Sequence, residues 1–299
     1  MTAQASPRVA PVAAASAPAP ARGRRWRRGI LYALLIGYAI LMCVPFAWAL
    51  VTSFKTLPQS VQMTFIPDPF TLEGWQYAWE NLTPPLPILF ANSAVIAAAV
   101  TISNVAMSSV AGYAFARLRF PGREVLFLVV LATLMIPDQL RLVPVYVLFN
   151  NLGLTKGDLQ YVAVVLVAAV QATPVFLMRQ YFLSMPRELE EAARIDGAGF
   201  FTTFLRVMLP LAGPAIAAVT ILVFQGTWNA FFWPLVLLRE PGNATLPLGL
   251  VQFQFSGGFA TNWPPLMATV VFATIPILVL YVFFQRYFVE GVAATGVKG

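Results

Sequence analysis

The sequence predicts an all-α integral membrane protein of about six transmembrane helices, with both termini in the cytoplasm. Three observations carry this. First, 59% of the 299 residues are hydrophobic and only 10% are charged. An ordinary soluble domain carries roughly a quarter charged residues, so this chain cannot clothe a globule in polar surface, whereas lipid removes the need. Second, the apolar residues gather into runs of the length a helix needs to cross the hydrocarbon, about 20 residues for roughly 30 Å. Third, the basic residues fall on alternate connections between the runs.

The opening stretch, 1–21, is dominated by Ala, Pro and Ser, with Arg8 its single charge. It buries too little apolar surface to fold, so 1–28, including the basic segment from Arg22 to Arg28, is expected as a disordered cytoplasmic tail. An apolar run follows over 29–54. A signal peptide is the alternative reading, but the run exceeds 20 residues and Ser53-Phe54-Lys55 is a poor cleavage site, which favours a retained span. Further spans are expected at 88–115, 124–145, 160–180, 210–233 and 266–287. Pro137, Asp138 and Pro144 interrupt the third, which reads as a short helix with an interfacial extension. The fourth ends near Arg179, and Pro210 opens the fifth. The transmembrane domain thus covers 29–289, with a long loop at 184–209 and a cytoplasmic tail over 290–299.

Orientation follows from Lys and Arg. The N-terminal tail, 116–123, 179–209 and the C-terminus from Arg286 together hold 15 of the 19 basic residues. The opposite segments hold only Lys55, Arg141, Lys156 and Arg239. The outside segments 55–87 and 234–265 are rich in Pro, Trp and Gly and read as ordered loops that a partner touches. The net charge of +7 would suggest nucleic acid in a soluble protein; here it follows topology, and no nucleic-acid partner is expected.

Several chemistries are excluded. There is no histidine, and the one cysteine, Cys43, lies in an apolar run. No disulfide can form within the chain, and a His/Cys metal site or a Ser-His-Asp or Cys-His nucleophile is ruled out. No enzyme activity, metal or cofactor is expected. The spans are also nearly free of ionisable groups: Glu124 sits at an edge, and Asp138 and Arg141 sit at a break. Ion-coupled carriers keep buried acids and bases because a charge in lipid is expensive. Energy is therefore expected to enter from another protein, and a charged channel filter is disfavoured.

The spans do carry neutral polar groups. Gln225 and Asn229 are four apart and share a helical face, with Phe224 and Trp228 offset together nearby. Amides and rings suit a polyol, so Gln225, Trp228, Asn229, Asn104 and Gln171 form a candidate substrate path. Interhelical hydrogen bonding and small-residue packing is the alternative for each.

The sharpest signal lies at 186–198, in the long inside loop. Pro186 suits a first turn. Glu188, Glu190 and Glu191 stand where the helix dipole favours acids, and Arg194 stands near the other end. Gly197 is a natural left-handed stop. Leu189, Ala192, Ala193 and Asp196 fall on one stripe, mostly small, that admits close approach to a groove on another protein. The segment resembles the EAA loop of ABC-importer permeases: Glu191-Ala192-Ala193, three residues, Gly197, nine residues, then Val207-Met208-Leu209-Pro210, with Val207 in place of the commoner Ile. Ala111-Gly112-Tyr113-Ala114-Phe115-Ala116-Arg117, Phe120-Pro121-Gly122-Arg123, Met135-Ile136-Pro137, Trp228-Asn229, Trp233-Pro234-Leu235 and the ending Val297-Lys298-Gly299 resemble carbohydrate permeases of the maltose-permease G-subunit type, over roughly 30–299. Thr295-Gly296 departs from the Gly-Ala expected before that ending.

The resemblance implies the type I importer permease fold, placed in the bacterial plasma membrane, in which 186–197 is a coupling helix. It implies that Glu191, Ala192, Ala193, Ile195, Asp196, Gly197 and Ala198 dock on ATP-binding subunits. It also implies a second homologous permease, an external solute-binding protein and a sugar cargo. The rivals are an ABC permease for another polar solute and a secondary carrier. A carrier predicts inverted repeats and buried ionisable residues, and the sequence displays neither.

Overall fold

The computed structural model describes residues 22–256 and 261–296. The tail expected at 1–21 and the Val297-Lys298-Gly299 ending lie outside the described residues. The chain divides into two units, Met1–Ala47 and Trp48–Gly299. All regular structure among the described residues is helical.

Helix α1 (Arg22–Thr52) starts earlier than the sequence suggests, because the basic segment 22–28 joins its first two turns; arginine is a good helix former and nothing there breaks the periodicity. Then come α2 (Glu73–Glu80), α3 (Leu86–Arg117), α4 (Arg123–Ala132), α5 (Asp138–Asn151), α6 (Leu159–Ala168) and α7 (Ala172–Ser184). The loop helix α8 (Glu188–Ile195) leads to α9 (Gly213–Trp228), α10 (Phe232–Leu237), α11 (Leu246–Ser256) and α12 (Trp263–Gly296). Helix α12 extends into the 290–296 segment expected as tail.

Three helices are long and apolar enough to span alone: Arg28–Thr52, Leu86–Arg117 and Trp263–Gln285. Three further candidates are bent helix pairs, each a broken span or a re-entrant loop. α4 and its 3-10 extension to Met135 meet α5 at 101°, α6 meets α7 at 46°, and Phe200–Leu211 meets α9 at 73°. Up to six spans result if each bent pair is one span, and two of the pairs bend where continuous helices were expected, at 160–180 and 210–233. In the third span the break falls at Pro137, whereas Pro144 lies inside α5 without ending it.

Helix α3 is the hub, packed most extensively on α7 and α9 and less on α6. Its polarity is inverted. Ser93, Thr101, Asn104, Ser108 and Ser109 are buried, whereas Val95, Ile102 and Val110 are exposed. The buried set recurs at helical spacing along one face. Small hydroxyls inward and branched aliphatics outward suit hydrocarbon surroundings, where interhelical contact comes from close packing rather than from escaping water. Close approach has a visible requirement at Gly112: a Cβ there would lie 2.6 Å from Met178 Cβ and 2.8 Å from the Arg179 backbone nitrogen.

Lys55 is fully buried, its ammonium donating to the Thr64 carbonyl and lying 4.3 Å from the Trp48 ring centroid. Burial lowers its pKa from the ordinary lysine value; the π face partly replaces lost hydration.

Gly112→Ala is expected to lower the melting temperature in detergent, because overpacking a tight contact costs about 1–3 kcal/mol. Gly226→Ala, whose added Cβ meets nothing within 4 Å, should leave it unchanged. Equal melting curves for the two variants would refute the close-approach account.

Candidate functional site

Two sites emerge, an anchored loop helix and a polar cavity. The loop helix is specified locally. Helix α8 follows Pro186 and carries Glu188, Glu190 and Glu191 in its first turn and Arg194 in its last. It ends in a Schellman motif: the Ala198 amide donates to the Ala193 carbonyl at 2.9 Å and the Gly197 amide to Arg194 at 3.0 Å. Gly197 sits at φ +80°, a left-handed conformation that suits glycine.

What holds α8 against the bundle is less local. The Tyr113 hydroxyl donates to Glu190 Oε1 at 2.9 Å. Arg117 Nε lies 3.8 Å from the same oxygen, while its Nη2 donates to the Met185 carbonyl at 2.6 Å. The Tyr113 ring packs on Phe182, before the loop helix, at 5.4 Å, and on Phe200 and Phe204, after it, at 5.5 and 4.9 Å. One residue near the end of α3 thus contacts both arms of the loop and the helix between them. Phe204 opens a π-helical turn, Phe204–Met208, that leads toward α9.

The small stripe expected to dock as one face is split. Ala193 is only 7% exposed, and Leu189 and Glu190 also turn inward. Glu188, Glu191, Ala192, Asp196, Gly197 and Ile195, the last 86% exposed, face outward, with Ala198 at the edge. Tryptophan at Ala193 would therefore strike the chain's own packing, and Ala192 is the position that tests an outer contact.

The cavity, about 510 Å³, lies where the broken spans meet. Its polar lining comes from Gln171 and Thr173 at the start of α7, Thr133 and the Asp138–Arg141 ion pair at the first break, Thr227 on α9, and Thr245. Trp233 adds an indole.

The five path residues meet different fates. Gln171 lines the cavity. Asn104 does not; fully buried, it bridges the break between α6 and α7. Its amide donates to Ala168 at 2.7 Å and Val100 at 2.9 Å, and its oxygen accepts from the Gln171 backbone at 3.0 Å. Asn104 is therefore a positioning residue for Gln171. Trp228 is 2% exposed and its indole N–H donates to Ala273 at 3.0 Å, while its ring stacks on Phe224. Gln225 and Asn229 share a face as expected, and Asn229 donates to the Gln225 carbonyl at 2.9 Å, but both are exposed and neither lines the cavity. The candidate path did not include Thr133, Asp138, Thr173, Thr227 and Trp233, which line the cavity, and it gave Tyr113 no role. Adjacency to Pro137 and Pro174, which mark helix starts, is the sequence signal for Asp138 and Thr173.

A helical bundle with inverted polarity, a polar cavity at its helix breaks and one helix presented on a loop is the architecture of a membrane transport subunit. Residues 105–294 match the binding-protein-dependent transport system inner membrane component family, and the chain belongs to it. It is 37% identical over 273 residues to the arabinooligosaccharides transport system permease protein AraQ of Halalkalibacterium halodurans, covering 89% of this chain and 96% of that one. It is 32% identical over 274 residues to the sn-glycerol-3-phosphate transport system permease protein UgpE of Yersinia pestis bv. Antiqua, covering 89% and 96%. A solved bacterial ABC transporter involved in the import of the acidic polysaccharide alginate matches with a TM-score of 0.77 and 26% identity, over 91% of this chain and all of that chain. The protein is thus an ABC-importer permease, integral to the membrane, with the type I permease fold, and not an enzyme.

Tyr113→Phe keeps the ring cluster and removes only the bond to Glu190. Hydrogen bonds to charged groups are worth about 1.5–3 kcal/mol, so amide exchange across 188–195 should accelerate at least tenfold. Unchanged exchange would mean that α8 is held by other contacts.

Proposed function

We propose that this permease carries a sugar or oligosaccharide into the cytoplasm through the cavity between its broken spans. The cargo is handed over by an external solute-binding protein, a second homologous permease completes the pathway, and a pair of ATP-binding subunits drives it from the cytoplasmic side of a bacterial plasma membrane. The observation that carries the reading is α8, anchored through Glu190 on one side while Glu191, Ala192, Ile195 and Asp196 stand free on the other. A helix so held transmits displacement of its outer face to α3 through Tyr113 instead of swinging independently. Transport against a gradient requires two permease states that contact the ATPases differently.

The cavity chemistry supports a neutral polyol. Gln171, Thr173 and Thr227 supply amide and hydroxyl groups, and Trp233 a ring face for sugar stacking. Among the described residues Arg141 is the cavity's cation and is already paired with Asp138, so this chain's described lining offers no free positive charge to a phosphorylated cargo such as the one named for the Yersinia relative.

The test is uptake in proteoliposomes holding the full importer, with arabino-oligosaccharide and sn-glycerol-3-phosphate as the two cargoes. Preference for the oligosaccharide is expected, with Gln171→Ala lowering its uptake about tenfold as one buried hydrogen bond is lost. Gly197→Val forces a β-branched side chain into the left-handed region, a cost of at least 1–2 kcal/mol. It should insert normally yet lose cargo-stimulated ATP hydrolysis and uptake together. Uphill uptake without ATP-binding subunits, or full coupling in Gly197→Val, would overturn the proposal.

A further inference from the structure

A second concavity, about 750 Å³, opens at the turn between α3 and α4, on the side carrying the loop helix. Its walls include Arg119, Arg123 and Arg187 and a single carboxylate, Glu124. That carboxylate is already committed: Arg123 donates to it at 2.7 Å and Arg179 at 3.0 Å. Arg119 and Arg187 are exposed, and neither has a carboxylate partner among the described residues. Two uncompensated guanidiniums therefore flank one opening, beside the first turn of α4, where the helix dipole also favours an anion.

The surroundings decide which anion. Val125, on the pocket wall, continues into Leu128 and Val129, all exposed and spaced three and four residues apart along one face of α4. A soluble anion has no use for an aliphatic stripe that begins where the arginines end. A phospholipid has: the head sits between the guanidiniums and an acyl chain lies along the stripe. Arginine also offers planar, bidentate donation to phosphate oxygens.

We propose that Arg119 and Arg187 bind the phosphate headgroup of an anionic phospholipid from the cytoplasmic leaflet, with its chain on Val125, Leu128 and Val129. The site rests on the orientation set by the basic loops and is independent of the cargo. Because Arg187 caps the start of α8, an occupied site ties the entrance of the loop helix to the membrane surface.

The full-length protein, purified with its partner subunits, is titrated with phosphatidylglycerol or phosphatidylcholine and bound lipid is read by native mass spectrometry. Phosphatidylglycerol is expected to bind more tightly. Arg119→Gln with Arg187→Gln should weaken it about 30-fold, from roughly 1 kcal/mol per basic residue near an anionic surface, without changing phosphatidylcholine binding. Arg119→Lys with Arg187→Lys should retain most of the preference, which separates charge from misfolding. Unchanged phosphatidylglycerol affinity in the glutamine variant would refute the site. Displacement by millimolar inorganic phosphate would show a free-anion site and overturn the lipid assignment. Release of the lipid when the ATP-binding subunits are restored after their removal would assign the arginines to a protein interface and overturn it equally.

Discussion

Within hydrocarbon every backbone donor and acceptor must find its partner inside the protein. Much of this architecture follows from how the chain meets that demand while breaking its helices. The break between α6 and α7 is bridged by Asn104, which binds the Ala168 carbonyl and the Gln171 amide. Opening a helix frees donors and acceptors that would otherwise cost several kcal/mol each in a dry core. An asparagine, with donor and acceptor on one short arm, is suited to such a gap. The break turns a rod of two turned helices into a wall with polar backbone and Gln171 at its bend, and a cavity becomes possible there.

The same helix that bridges the break also anchors the loop. Asn104 and Tyr113 are nine residues apart on α3, about 13 Å along the axis at 1.5 Å per residue. Gly112 lies between them where α3 and α7 approach within van der Waals limits. A close-packed segment has little freedom to absorb displacement, because packed interiors shift between discrete arrangements instead of deforming smoothly. On the proposed coupling, movement of α8 would pass to Tyr113 and then along α3 toward Asn104, which fixes the cavity wall.

How much of this the sequence displays depends on range. Apolar run length finds the spans, since crossing hydrocarbon is a local requirement on composition. Helix α8 and its end are equally legible, because Pro186, the early glutamates and Gly197 act within one or two turns. The breaks are less so: an apolar run reads the same whether the helix through it is straight or bent by 46°, and Asn104 lies 64 residues from the carbonyl it binds. Trp228 illustrates the opposite failure. Its place with Phe224 beside the Gln225 and Asn229 face suggested a ring for a polyol, but its indole N–H is taken by a carbonyl 45 residues away. The two-faced character of α8 was likewise hidden, because a single stripe of small residues does not reveal that Tyr113, 77 residues earlier, claims part of it.

That split explains why a helix with so many acids can serve two surfaces. Glu190 alone is drawn inward, where Arg117 and the Tyr113 hydroxyl offset the cost of burying its charge. Glu188 and Glu191 remain in water beside the positive end of the dipole, where their charge is favourable without any partner. The outer face therefore presents an acidic first turn followed by the short side chain of Ala192 and the exposed Ile195. This is a surface of low steric bulk with one apolar contact, acidic in its first turn and carrying Arg194 and Asp196 at its other end. The inward acid fixes where that surface points, and on the proposed docking the outward acids would favour a basic rim on the partner.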